Sequence, residues 1–204
     1  MEHYLPLVCL SLFLAGTAWR IRTHRHRHGR SGVMLFRSGH RTQNLHDATV
    51  LLVVGALGVQ AVLIAVRPGA LESLAPFGVA RAAAWRWVGA GLALAGMAAS
   101  LLAQAMLGAS WRIGIEEEAR PGLITTGLYG WSRNPIFTFM LVVLAGFVVL
   151  MPTWPSLLAF GVGAVEIRRQ VRVEEEWLLR AYGREYREYA RRVGRFLPRF
   201  GRLD

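Results

Sequence analysis

Two short polar segments flank one pair of apolar stretches, and they carry the residues that could bind a charged ligand. The first places Arg133, Asn134 and Pro135 directly before an apolar run that extends to Met151. Proline is favoured in the first turn of a helix, and asparagine commonly caps one. A helix start presents unpaired N–H groups and a positive dipole end, and a guanidinium can grip the same anion. This segment predicts either a carboxylate- or phosphate-binding helix start or an ordinary capped helix with an arginine at the lipid headgroups.

The second polar segment follows an apolar run over residues 155–165 and contains the acids Glu174, Glu175 and Glu176. Such carboxylates could bind an ammonium group, hydrogen-bond ribose hydroxyls or offset the charge of a sulfonium. The alternative is an amphipathic interfacial helix whose arginines and glutamates pair along its surface. Three tyrosines follow, and their expected role is anchoring at the membrane–water interface: Tyr182, Tyr186 and Tyr189.

The rest of the chain supplies the apolar helices that must hold these segments in place. Of the 204 residues, 53% are hydrophobic and the mean hydropathy is +0.33. We therefore expect a single all-α polytopic membrane domain over residues 1–204. Two prolines between residues 151 and 155 should turn the last two spans into a helical hairpin. Five spans are predicted, the last of which continues into a charged amphipathic helix: residues 4–19, 48–66, 85–107, 135–151 and 155–165.

Arginine placement predicts which ends of these helices share one side of the membrane. All 24 basic residues are arginine, and the net charge is +11. They cluster at the ends of apolar runs, which is typical of topology control and excludes nucleic-acid binding as the main function. Segments 20–47, 107–133 and the tail after Glu166 share one side and hold 21 of the 24 arginines. We expect that side to be the cytoplasm of a bacterial inner membrane, with the N-terminus outside and the C-terminus inside.

Three further sequence patterns do not indicate a functional site. His24, His26 and His28 alternate with arginines, which would repel a metal cation, so a solvated loop is expected and no metal site is predicted. The Gly-x-Gly pairs at 89–91 and 161–163 lack the third glycine of a nucleotide-binding loop and are interpreted as helix-packing glycines. The only cysteine, Cys9, rules out a disulfide framework.

Taken together, residues 105–198 resemble the superfamily of isoprenylcysteine carboxyl methyltransferases and phospholipid methyltransferases. The resemblance lies in residues 107–111, 123–129, 133–137, 174–189 and 195–198. It departs from the usual pattern at Asn134, Phe137 and Tyr182, where histidine, tyrosine and phenylalanine are common. It implies an integral-membrane enzyme that uses S-adenosylmethionine without a Rossmann domain, with three N-terminal spans in residues 1–107 and the methyltransferase core in residues 108–204.

The resemblance also implies where the donor and the catalytic groups lie. Arg169, Glu174 and Arg133 are the catalytic residues it implies, with Arg168 and Arg172 as alternatives to Arg169. The pocket is expected to face the cytoplasm, between the hairpin and the C-terminal helices. The residues implied to bind the donor are Leu123, Gly127, Tyr129, Arg133, Asn134, Pro135, Glu174 and Glu175.

The acceptor is expected to be a lipophilic or small molecule that reaches the site from the membrane lipid. A carboxylate acceptor is favoured because it is already ionised and needs no base. An amine or thiol acceptor would instead give Glu174 or Glu175 a general-base role. Two other classes stay open: an NADPH-dependent enzyme related to sterol reductases, and a non-enzymatic membrane protein with a degenerate pocket.

Overall fold

The structure, a computed structural model, describes residues 1–29, 35–36, 41–75, 83–108, 111 and 122–202. Its described elements are helical, which confirms the all-α prediction. Two short 3-10 helices cover Glu2–Tyr4 and Gly127–Gly130. The α-helices are α1 (Leu5–His28), α2 (Arg41–Val66), α3 (Ala70–Leu74), α4 (Ala83–Met106), α5 (Pro135–Leu150) and α6 (Trp154–Arg192).

The protein is a polytopic membrane protein, as its hydropathy predicts. Three helical segments in the described part of the chain are long and apolar enough to cross a bilayer: Glu2–His28, Arg41–Val66 and Ala84–Met106. Helix α5 is apolar but shorter, and it forms the predicted hairpin with α6. The predicted fifth span is the first part of α6, which continues without a break into the charged segment.

The histidine-rich stretch is helical, so the predicted loop over residues 20–47 is wrong at its N-terminal end. Helix α1 continues to His28, and Gly29 ends it with a φ of +68°. His24 is buried and packs edge-on against Trp111 with 5.2 Å between ring centroids. The Arg20 guanidinium lies 4.7 Å from the centre of the same ring. Helix α1 can continue through these polar residues because α4 and Trp111 cover their side chains. A hydropathy window does not detect such contacts, since they form only in the folded protein.

Helices α4 and α5 pack antiparallel with their backbones in contact. A methyl group at Gly89 would collide with the backbone of Leu150, and one at Gly146 would collide with that of Ala93. The packing role predicted for Gly89 is thus confirmed. Gly91 has open space around it, so the same prediction is wrong there.

Helices α2 and α6 also run antiparallel, and a buried polar cluster fixes them beside the hairpin turn. Thr153 donates a hydrogen bond to the side-chain oxygen of Gln60 at 2.7 Å, and the Gln60 amide donates to the Ser156 hydroxyl at 2.6 Å. Thr153 also caps α6 by accepting from the Ser156 backbone N–H. Each polar group thereby gains a partner that the surrounding apolar helices cannot offer.

The antiparallel pairing gathers the polar helix ends at the other end of the bundle. Arg20 near the end of α1 donates to the backbone oxygen of Gln104 near the end of α4, at 2.6 Å. His46 in the second turn of α2 lies beside Glu166 in the middle of α6. The start of α5 contacts α6 further along, around residue 175. Segments that are far apart in sequence therefore meet at one end of the bundle, and the candidate site lies there.

Candidate functional site

Arg133 is buried, and most of its hydrogen-bonding capacity is used inside the protein. Its Nε donates to Oε1 of Glu175 at 2.9 Å. Its Nη1 donates to the carbonyls of Ala190 and Val193 at 2.9 and 2.7 Å, and its Nη2 donates to that of Gly201 at 3.0 Å. Four of the five N–H groups of a guanidinium are thus occupied. Arg133 fastens the start of α5 to the end of α6 and to the segment that follows.

Glu175 is the centre of this ion-pair network. Its Oε1 also accepts from the Asn134 side-chain amide at 3.0 Å, and its Oε2 accepts from Nε of Arg195 at 2.9 Å and lies 2.8 Å from Nη2 of the same guanidinium. Burial raises the pKa of Glu175, but the hydrogen bonds and charges of Arg133 and Arg195 together outweigh burial and hold the pKa below its usual value. Asn134 is the N-cap residue of α5, as predicted, but its side chain makes no capping hydrogen bond and binds Glu175 instead.

The segment after α6 wraps around the start of α5. The backbone N–H of Arg133 donates to the Gly194 carbonyl at 2.9 Å, and the Ser132 hydroxyl donates to the Arg195 carbonyl at 3.2 Å. Thr138, one turn into α5, donates to the Phe196 carbonyl at 3.1 Å. These contacts hold the N-terminal turn of α5 between α6 and the C-terminal segment.

A cavity of about 540 Å³ lies between α1, α2, α4, α5 and α6. Its wall changes from polar near the charged helix ends to apolar towards the middle of the bundle. The apolar part is lined by residues such as Leu10, Phe13, Val53, Leu57 and Phe147. The polar part includes Gln43, His46, Asp47, Asn134, Glu166, Gln170, Glu174, Trp177, Tyr182 and Tyr186. Such a shape suits an elongated ligand with a polar head and an apolar tail.

Six of the residues implied by the resemblance line this cavity: Leu123, Tyr129, Arg133, Asn134, Pro135 and Glu174. Three others are not part of the described wall. Glu175 lies behind it in the ion-pair network. Gly127 has a φ of +61° and packs beside Met106. Arg169 faces α2, where it donates to the Thr42 carbonyl at 3.1 Å.

Three buried tyrosines form one wall of the polar part. Tyr186 and Tyr189 stack edge to face at 5.9 Å, and the Tyr189 hydroxyl donates to the Tyr129 carbonyl at 2.6 Å. Burial, above all, raises the pKa of each of the three hydroxyls, so they stay protonated. The Tyr186 hydroxyl is fully buried and has no hydrogen-bond partner within the described residues. Tyr186 and Tyr189 are therefore not the interfacial anchors that the sequence predicted.

A second group lies on α6, about one to four turns before Tyr186. Gln170 donates to Oε1 of Glu174 at 3.0 Å, and both side chains line the cavity. Trp177 and Tyr182 also line it, with their rings edge to face at 6.2 Å. A carboxylate among aromatic rings favours a cation or a ligand rich in hydroxyl groups.

Reasoning from the sequence did not identify Glu166, Gln170, Trp177 or His46 as site residues. Glu166, Gln170 and Glu174 follow each other at intervals of four, which places them on one face of a helix, so this signal was present. Trp177 falls one turn after Glu174 on the same face. No sequence pattern pointed to His46, because its partner on α6 lies 120 residues away.

Comparison with known proteins identifies a family for the second half of the chain. The family model described as phospholipid methyltransferase matches residues 84–185, which is half of the chain. The matched region begins in α4 and includes α5 and the cavity-lining part of α6 up to residue 185. No curated protein matches the chain.

Proposed function

Because the chain belongs to the phospholipid methyltransferase family, we propose that it transfers methyl groups from S-adenosylmethionine to an acceptor with an apolar tail. The observation that carries this proposal is one continuous cavity, about 540 Å³ in volume, that joins a polar, aromatic end to an apolar end between membrane helices. A polar donor and a lipophilic acceptor could meet within it without leaving the bundle.

The polar end fits the donor in three respects. Trp177 and Tyr182 offer aromatic rings that attract a positively charged sulfur or stack on a base. Glu174 supplies a carboxylate for ribose hydroxyls or for the charge of the sulfonium. The buried Tyr186 hydroxyl, which has no partner among the described residues, could hydrogen-bond a polar group there. S-Adenosylmethionine would supply an activated methyl group, so the protein's task is mainly to position the reactants.

The residues around Arg133 act indirectly in this proposal. Arg133 and Glu175 satisfy each other and hold the cavity wall in place. Asn134 lines the cavity, while its side-chain amide is fixed by Glu175 and by the Arg195 carbonyl. The donor would therefore touch Leu123, Tyr129, Asn134 and Glu174, and the ion-pair network would hold these residues in position.

The charges of the cavity wall favour an acceptor that is not an anion. Its described acids are Asp47, Glu166 and Glu174, whereas its only arginine, Arg133, uses its guanidinium inside the network. Among the described residues of this wall, a carboxylate on the acceptor would find no arginine outside the ion-pair network. We therefore favour an acceptor such as an amine, a thiol or a phenol on an apolar tail over the carboxylate that the sequence favoured.

Ligand titration of the detergent-solubilised protein tests the donor site. S-Adenosylhomocysteine should bind and NADPH should not. Trp177→Ala and Tyr182→Ala should each weaken binding about fivefold, since one aromatic stacking contact contributes roughly 1 kcal/mol. Trp85→Ala, which removes an exposed tryptophan of α4, is the matched control and should bind normally.

Transfer of a radiolabelled methyl group to a total membrane lipid extract then tests the reaction itself. Label should appear in an organic-soluble product, and Tyr182→Ala should reduce it. NADPH binding without S-adenosylhomocysteine binding would replace this proposal with a reductase. A protein that binds neither ligand would be a non-enzymatic member of the family.

A further inference from the structure

A partly buried histidine–carboxylate pair lines the cavity on the side of α2. Nδ1 of His46 lies 2.9 Å from Oε2 of Glu166, and their side chains are only 13% and 16% exposed. Both residues belong to the cavity wall. The two residues are 120 positions apart in the sequence, and the antiparallel packing of α2 against α6 brings them together.

The pair is held from both sides. Arg169 lies one turn further along α6, and its Nη1 is 3.6 Å from the other oxygen of Glu166. Its Nη2 donates to the carbonyl of Thr42, one turn before His46 on α2. On α2, Asp47 is occupied separately, by the Gln43 amide at 3.1 Å and the Phe36 backbone N–H at 2.8 Å. Arg169, implied as catalytic by the resemblance, thus orients Glu166.

This geometry fixes the role of each imidazole nitrogen. An ionised carboxylate can only accept, so Nδ1 of His46 carries a hydrogen, and in the neutral form of the imidazole Nε2 keeps its lone pair. None of the described residues hydrogen-bonds to Nε2. A histidine held in this way by a carboxylate is a general base, because the carboxylate stabilises the imidazolium that forms when a proton is taken up.

We infer that His46 is the base that removes the acceptor's proton, with Glu166 as its positioning residue; this rests on the proposed function. The acceptor is then an X–H nucleophile, a primary or secondary amine, a thiol or a phenol. Its lone pair forms the new X–CH₃ bond while the methyl–sulfur bond breaks and leaves its electron pair on sulfur. The proton of X–H passes to Nε2 of His46, next to the Glu166 carboxylate.

One face of α6 carries a row of cavity-lining side chains along which the donor and the acceptor could lie end to end. Glu166, Gln170 and Glu174 line the cavity at successive turns, followed by Trp177 and Tyr182. At 1.5 Å per residue, Glu166 lies about 12 Å along the axis from Glu174. With the adenine against Trp177 and Tyr182 and the ribose at Glu174, the methyl group of the donor would point along this row of side chains towards His46, where the X–H group of the acceptor must lie.

Modification with diethylpyrocarbonate tests this assignment without any methyl donor. The reagent acylates neutral imidazole, and peptide mass spectrometry reports each histidine separately. Dodecylamine should protect His46, because its amine would lie at Nε2 and its tail in the apolar part of the cavity. His26, exposed on α1, is the internal control and should react equally with and without the amine. Equal reaction of His46 in both conditions would overturn the assignment.

Turnover with long-chain probes completes the test. His46→Gln should lower methyl transfer to dodecylamine or dodecanethiol about 100-fold, in the range found when a general base is removed. Glu166→Gln keeps a hydrogen-bond acceptor but not the charge, and it should lower kcat about tenfold with little change in KM. Glu185→Gln, which changes an exposed acid on the same helix, should transfer methyl groups as the wild type does.

Affinity for S-adenosylhomocysteine separates the two hypotheses. It should stay within about twofold of wild type in His46→Gln, because the base does not touch the donor end. Wild-type transfer rates in His46→Gln, together with normal affinity, would overturn the base and leave the proposed function intact. Absence of binding by the wild-type protein would overturn the proposed function itself.

Discussion

Arg133 and Glu175 form an ion pair at the start of α5 that is almost entirely closed to solvent. Their Nε and Oε1 atoms are 2.9 Å apart, and the side chains are 1% and 5% exposed. The other Arg133 contacts are backbone carbonyls near the end of α6 and in the following segment. One side chain thus joins three parts of the chain, and the cavity wall depends on it.

Arg133→Ala should destabilise the protein strongly rather than only weaken a ligand contact. It would leave Glu175 with one cation fewer and three carbonyls without their donor, and loss of one partner of a buried pair costs about 3–5 kcal/mol. Thermal unfolding in detergent should show this as a lower Tm. Arg184→Ala breaks an exposed ion pair on α6 and should leave the Tm unchanged. An unaltered Tm in Arg133→Ala would contradict the structural role.

The attachment of the C-terminal segment should depend on pH through Glu175. Burial raises its pKa, but Arg133 and Arg195 together lower it below the ordinary value of 4.5, so the fold favours the ionised carboxylate. This stabilisation is fully present above pH 4.5 and is lost as the pH falls through the lowered folded-state value. The protection of the backbone amides of residues 193–202 against hydrogen exchange, relative to their intrinsic rates at each pH, should therefore fall in acid. Glu175→Gln should exchange faster at neutral pH and show a flatter pH profile.

Gly89→Ala should destabilise the α4–α5 pair. Its new methyl group would meet the Leu150 backbone, which cannot move as a flexible side chain could. Overpacking of this kind costs about 1–3 kcal/mol. Gly91→Ala, two residues away in open space, is the matched control and should be neutral or stabilising by up to about 1 kcal/mol. Equal stability of the two variants would show that the helices do not approach this closely.

Gly183→Ala should weaken donor binding through the shape of α6. Gly183 has a φ of +50° and a ψ of −113°, a conformation that strains any residue with a side chain by about 1–3 kcal/mol. The kink lies between Tyr182 and Tyr186, so a straighter helix would separate two residues of the cavity wall. Affinity for S-adenosylhomocysteine should fall, whereas Gly161→Ala on the same helix should bind normally.

Much of the fold could be predicted from the sequence because it depends on local patterns. Apolar runs located α2, α4 and α5 to within a few residues, except that α2 begins earlier, at Arg41. Prolines 152 and 155 placed the hairpin turn. The end of α1 was missed because Arg20 and His24 are stabilised by Trp111 and α4, contacts that exist only in the folded protein.

The site could be predicted only in part, for a related reason. Arg133, Asn134 and Glu175 were recognised as a group, and they do lie together. From the sequence, we expected these side chains to contact a ligand. Arg133 and Glu175 instead bind each other, and Arg133 also donates to carbonyls of the C-terminal segment, which would otherwise lack donors. His46 was missed because nothing local distinguishes it from a solvated residue near the start of a helix.

The wrapping of residues 193–201 around α5 has a consequence for biosynthesis. Val193 leaves the ribosome 60 residues after Arg133, so α5 enters the membrane with a guanidinium whose carbonyl partners have not yet been made. The nascent helix end must meanwhile stay hydrated at the membrane surface, and the pocket can close only when synthesis has passed Gly201. A chain cut short before that point would lack the carbonyl partners that Arg133 needs in the folded protein.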